Sequence, residues 1–494
     1  MYLFLGSNQI EAGIDFTKID TDLINRVITH EITNQDLLYL STLSSIRTGV
    51  FAYCSLLTSA NFLSCTSIGE YAFQNCASLS SVNFPKCTYI GSYAFQNCTS
   101  LSSINFPSAI SIGSYTFQNC SLLSSINISL CERIGNNAFD ACILLTEANF
   151  PNCSRIGAYA FEYCSLLRSI SFPICSSMGT YTFQGCNLLS KVNFPNCTSV
   201  GNYGFQSCIS LSSVSFPMGT HIGAQAFRAC TSLTEVNFSQ CVYIGVSAFA
   251  DCTNLISISC PNCTTIQNCA FENCNNLKEA IFLSCTSIGL NAFRSCYSLV
   301  SINFSKCSII AGGAFRYCYS LTNISFPICQ RIGDNVFYQC SALSSINFPS
   351  CSFISNSAFY SCASLINITF PICSTIGYAT FGFCSALTSI NFPNCSSISA
   401  SAFHSCTSLT NATFPICVYI GSSAFRNCFN LISLYLTSVS SVPYLGTNAF
   451  YSTPIGGYST SAGRYGSVFV PASLYNSFLT ATNWSFIASR IVSV

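Results

Sequence analysis

From Leu57 onward the chain repeats one polarity pattern every 22 residues: a leucine, polar residues, a short apolar–polar alternation, a proline, and a second apolar cluster. In the copy Leu79–Cys98, Val82 and Phe84 stand two apart with Ser81 and Asn83 facing the other way, which predicts a short strand burying one face. Pro85 follows at once, and 12 of the 15 prolines share its column, where the missing N–H ends the strand and turns the chain. Ile90, Ala94, Phe95 and Cys98 then fall at i, i+4, i+5 and i+8, the spacing of one helical face, and predict a helical turn or two, α or 3₁₀. Gly91 stands at the entry to that turn, in a column that is glycine in 13 of 17 repeats, and is read as supplying backbone freedom there.

The register does not slip: Phe recurs from 51 to 425, Cys from 54 to 428 and Leu from 57 to 431, giving 18 copies. A fixed period of this length predicts a solenoid, in which each coil buries its apolar face only against its neighbours. The expected organisation is an N-terminal cap over 1–50, a solenoid of 18 repeats over 51–436 and a C-terminal cap over 437–494, where the spacing breaks. Asp20–Val27 reads as an amphipathic helix suited to cap the first coil. The fold class expected is an α/β repeat solenoid with 22-residue coils, a parallel sheet on one face and short helical or 3₁₀ turns on the other.

Charge changes the picture by exclusion. Only 7% of the residues are charged and the net charge is +1, with no basic patch of the kind nucleic acid requires. Half of the residues are hydrophobic, yet no run approaches the roughly 18 apolar residues of a membrane helix, so no membrane span is expected. Met1–Gly6 lacks a basic segment and a long apolar core, and reads without an export signal.

Of 35 cysteines, 33 fall in two columns. Coils stacked at about 4.8 Å would hold the Cβ atoms of one column near that distance, whereas disulfides prefer about 3.8 Å. Buried reduced thiols are therefore expected, and the 11-residue alternation of the columns is unlike the close Cys pairs of a zinc site. The three histidines, His30, His221 and His404, are too scattered in the repeat for a triad or a metal cluster, and no carboxylate follows Asp334. No catalytic residue, metal or cofactor is expected, and the chain is read as no enzyme.

The unit Leu-x-x-Ile-x-Phe-Pro-x-Cys-x-x-Ile-Gly-x-x-Ala-Phe-x-x-Cys resembles the bacterial surface-antigen (BspA) class of leucine-rich repeats over residues 51–436. The resemblance implies a leucine-rich-repeat solenoid with a parallel sheet, acting in adhesion or recognition of protein or glycan on a host or cell surface. It also implies a place at the cell surface, although no anchor motif is legible. An alternative is a phage structural or tail-associated host-recognition protein on a virion, because Leu3–Ile10 is similar to the openings of some phage tail and baseplate proteins.

Two polar columns are the candidate binding residues. The outward strand positions Asn61, Asn83, Asn105, Asn127, Asn149, Asn193 and Asn237 form a regular array of amides that can hydrogen-bond to a glycan or a protein edge. Tyr71, Tyr93, Tyr115, Tyr159, Tyr181 and Tyr203 form an aromatic stripe on the expected helical side, either stacking on sugars or filling half-buried space.

Overall fold

The computed structural model describes residues 26, 29–459 and 463–494, and the chain divides into two compact units, 1–241 and 242–494. In the first unit, described residues form nine two-residue strands from Ser45–Ile46 to His221–Ile222 and nine three-residue strands from Ser59–Asn61 to Glu235–Asn237. The strands pair in parallel with their counterparts 22 residues on, as in Ile46↔Ile68, Ile68↔Ile90 and Val82↔Ile104, and the three-residue ladder is interrupted after Ser103–Asn105 and after Lys191–Asn193. A coil therefore contributes one strand to each of two parallel ladders. The three-residue strand was legible from its alternation. The two-residue strand was not, and Ile90, read as the start of a helical face, is its inward residue.

The second unit repeats the plan with two-residue strands from Tyr243–Ile244 to Tyr444–Leu445 and three-residue strands from Ser257–Ser259 to Ser433–Tyr435. Its last steps are irregular: Tyr419 pairs with Tyr444, then Ser433–Tyr435 pairs with Ser467–Val470, which pairs in turn with Ile491–Ser493. The ladders thus run past the expected limits of 51 and 436 at both ends. Phe478 packs edge-on against Trp484 at 4.9 Å, and the Trp484 indole N–H donates to the Pro443 carbonyl at 2.7 Å, closing that end.

At the N-terminal end the helix is Asn34–Leu40. Asn34 Oδ1 accepts the backbone N–H groups of Thr58 and Ser59 at 3.1 and 3.2 Å, so the helix satisfies the edge of the first three-residue strand. Asp36 anchors it, accepting from Arg26 at 2.7 Å and from the Thr33 backbone at 2.8 Å. The helix expected over 20–27 and the segment Leu3–Ile10 lie outside the described residues, Arg26 excepted.

The expected helical turns are corrected by the structure. Among the described residues no repeat carries a helix between its glycine column and the second cysteine; the chain makes successive turns closed by bonds such as Gln96 N–H to Tyr93 O and Cys98 N–H to Phe95 O. Two residues in each coil, Tyr93 and Asn97 in this one, are left-handed with φ near +60°, which stops any helix. The alternate N–H groups are thereby freed for the next coil: Tyr93, Phe95 and Asn97 donate to Ser114, Thr116 and Gln118 at 2.8–2.9 Å. Helices about 10 Å across could not stack at the roughly 4.8 Å that the strands impose.

That spacing also explains Gly91. Its φ is not positive; a Cβ there would lie 2.5 Å from the Gly69 carbonyl carbon, and one at Gly113 would lie 2.5 Å from Ser92 N. Glycine in this column permits close approach of backbones rather than freedom of turning.

Two phenylalanine columns fill the coils. Within a column, Phe73 and Phe95 stack at 5.2 Å and Phe84 and Phe106 at 5.4 Å; between columns, Phe84 meets Phe95 at 6.2 Å and 63°. Rings stacked lengthwise and edge-on crosswise contribute about 0.5–1.5 kcal/mol per pair beyond their burial.

Candidate recognition surface

The asparagine column occupies the last position of the three-residue strands, whose middle residue points inward. Strand register sets the amides one above another. Nδ2 of Asn83 donates to Oδ1 of Asn61 at 2.8 Å, Asn105 to Asn83 at 2.6 Å, and Asn149 to Asn127 at 3.0 Å. Where serine interrupts the column the pattern persists: Asn193 donates to Ser171 Oγ at 3.0 Å and Asn237 to Ser215 Oγ at 3.3 Å. A primary amide has two N–H donors and two carbonyl lone pairs. Asn83, bonded on both sides, spends one of each on its neighbours and presents one of each outward.

The tyrosine stripe is two stacks rather than one, because Asn137 takes the intervening rung. Tyr71, Tyr93 and Tyr115 stack at 4.8 and 4.6 Å, and Tyr159, Tyr181 and Tyr203 at 4.6 and 4.2 Å, with interplanar angles of 4–10°. Each is half-buried and sits in the left-handed region. The faces of Tyr93 and Tyr181 are covered on both sides, so these rings offer edges and hydroxyls. The asparagines and tyrosines lie on different segments of the coil, and the fold does not bring the two columns together.

A third polar column went unread in the sequence. Gln74 donates to Gln96 and Gln96 to Gln118, both at 2.6 Å, and Gln118 donates to Asp140 at 2.8 Å. The signal was the recurrence of Gln at 74, 96, 118, 184 and 206. One rung beyond Asp140, burial and then the Asp140 charge push the Glu162 carboxyl up to about 7.

None of the 35 cysteines is in a disulfide, and only Cys269 is not fully buried. They are also hydrogen-bond donors. Cys76 and Cys98 donate to the Phe51 and Phe73 carbonyls of the preceding coil at 3.0 and 3.1 Å, whereas Cys65 and Cys87 donate to Ser67 and Tyr89 carbonyls at 3.1 and 3.2 Å. Burial pushes Cys54 up to about 11 and Cys98 to about 12, far from the reactive range. Among the described residues no group of three or more His, Cys, Asp or Glu side chains is placed to hold a metal ion, and no helix is long and apolar enough to cross a membrane.

The profile of the BspA type leucine rich repeat region, six copies long, matches residues 44–167, 154–278, 242–365 and 352–461. No curated protein matches the chain. Among solved structures, a leucine-rich repeat protein from Bacteroides ovatus is 27% identical over 75% of this chain and 82% of its own, with a TM-score of 0.46. A leucine rich cell surface protein from Faecalibacterium prausnitzii is 24% identical over 62% of this chain and 83% of its own (TM-score 0.35). A leucine-rich repeat protein from Eubacterium ventriosum is 18% identical over 69% of this chain and 88% of its own (TM-score 0.27).

Proposed function

The chain belongs to the BspA-type leucine-rich-repeat family, and from that premise we propose that it is a non-enzymatic scaffold for adhesion, recognising protein or glycan on a host or cell surface through its asparagine column. The observation that carries this reading is the amide chain Asn61–Asn83–Asn105. Each side chain is held in one orientation by its neighbours, so the ordering that binding would otherwise demand, about 0.5–1.5 kcal/mol per side chain, is already met in the free protein. The outward donor and acceptor recur at the strand spacing of about 4.8 Å. Sugar hydroxyls and peptide groups, which both donate and accept, match such an array. The tyrosine stacks are the second proposed surface, contributing hydroxyls and ring edges.

Asn83, Asn105 and Asn127 changed together to Ser test the proposal, because serine already occupies the column at 171 and 215 without breaking the strand. Binding of the full chain to immobilised mucin, to matrix protein and to intact cells is expected to weaken at least about tenfold, the loss of roughly 1.4 kcal/mol, while the melting temperature holds. Unchanged binding to all three would remove this column from recognition.

A further inference from the structure

The two-residue strands carry a different outward column, in which Ser111, Arg133, Arg155 and Ser177 occupy consecutive rungs. Arg133 and Arg155 are register partners, so two guanidinium-bearing side chains leave the sheet about 4.8 Å apart. Like charges directly opposite one another destabilise a sheet. Both are exposed, and among the described residues neither guanidinium has an ion-pair or hydrogen-bond partner. The repulsion is therefore left standing in a chain where only 7% of residues are charged.

The two arginines border a groove that also takes in Ser92, Ser111, Ser114 and the backbone of Gly135, and no carboxylate lines it. Ser92 Oγ accepts the Ser114 backbone N–H at 3.3 Å, and Ser114 Oγ accepts that of Asn136 at 3.2 Å. With these oxygens engaged by the next coil, their hydroxyl protons remain to donate. At one end stands Tyr89, register partner of Ser111 and 46% exposed, with an open ring for a sugar to rest on. The groove thus offers donors and positive charge beside an aromatic platform.

We propose that this groove binds an acidic glycan, with a sulfate or carboxylate group held between Arg133 and Arg155 and an adjoining sugar ring against Tyr89. The site is independent of the asparagine column and stands or falls without it. Guanidinium–oxyanion pairs are bidentate and charge-assisted, and they relieve the repulsion between the two arginines.

The test is titration of the full chain with dextran sulfate, hyaluronan and neutral dextran at low and high salt. Binding is expected for one or both acidic chains and not for dextran, and which acidic chain binds distinguishes sulfate from carboxylate. The double variant Arg133→Gln/Arg155→Gln is expected to bind at least about tenfold more weakly and to melt no lower than the parent. Lys86→Gln/Lys306→Gln removes the same charge from exposed positions elsewhere and is expected to keep its affinity. Failure of both acidic chains to bind, equal losses in the two double variants, or neutral dextran binding as tightly would each overturn the proposal.

Discussion

The most demanding residues are the two in each coil with positive φ. The columns Gly49 to Ser423 and Tyr53 to Asn427 hold φ between 50° and 71°. They contain Tyr, Asn, Ser, Ala, Gln, Gly, Cys, Asp and Phe, but no valine, isoleucine or threonine. A branched Cβ makes that conformation a true outlier, and even an ordinary side chain sacrifices about 1–2 kcal/mol there. Ala229, at φ 59°, separates the effects. Ala229→Val is expected to lower stability by about 1–3 kcal/mol through backbone strain, and Ala229→Gly to leave it equal or higher, as read from denaturant midpoints. Equal midpoints for Val and Gly would show that the left-handed turn is not held in solution.

Among the elements, the glutamine column predicts a pH dependence. Asp140 Oδ2 accepts from both Gln118 and Asn137, and Glu162 follows one rung on, its carboxyl raised from an ordinary 4.5 to about 7. An acid whose folded pKa is raised stabilises most when protonated: its contribution is complete below about 4.5 and is lost as pH rises through about 7. Gln184 Oε1, on the next rung, is buried with no hydrogen-bond partner, and protonated Glu162 brings an O–H donor to that stretch of the column. The difference in melting temperature between the protein and Glu162→Gln is expected to change between pH 4.5 and 7, with the parent losing ground as pH rises; a flat difference would contradict this placement. Legibility divides along the same lines. The three-residue strand announced itself by alternation and a proline stop, and the asparagine column by its period. The segment after Gly91 misled, because inward residues of successive turns fall at nearly the spacing of a helical face, and a strand as short as Tyr89–Ile90 has no period to detect. The absence of branched residues from two columns was the missed signal. Arg133 and Arg155 went unread because neighbours on a ladder are 22 residues apart in sequence.

Over the whole molecule, thiols act collectively. In each compact unit the two cysteine columns are buried, and burial raises thiols in both columns above an ordinary 9.0, to about 11 for Cys54 and Cys285 and about 12 for Cys98 and Cys230. Unfolded thiols lose their protons first, so the thiols' contribution to stability is constant up to about pH 9 and falls as pH rises towards 12. Many small increments of one sign make that fall steep, and denaturant midpoints measured across this interval should show it. A thiol-specific chromogen should react with no more than the half-buried Cys269 in the native protein at pH 8 and with all 35 thiols once it unfolds; ready labelling of further thiols in the folded chain would refute the packing. The parallel ladders have one more implication. Because each coil offers its successor the same surface that it receives from its predecessor, an in-frame duplication or loss of one whole repeat leaves every internal column intact, whereas a one-residue insertion within a strand turns Phe and Leu outward. Gain or loss of whole repeats can therefore lengthen or shorten the array without any new solution to the folding problem, and the number of coils becomes a heritable variable open to selection.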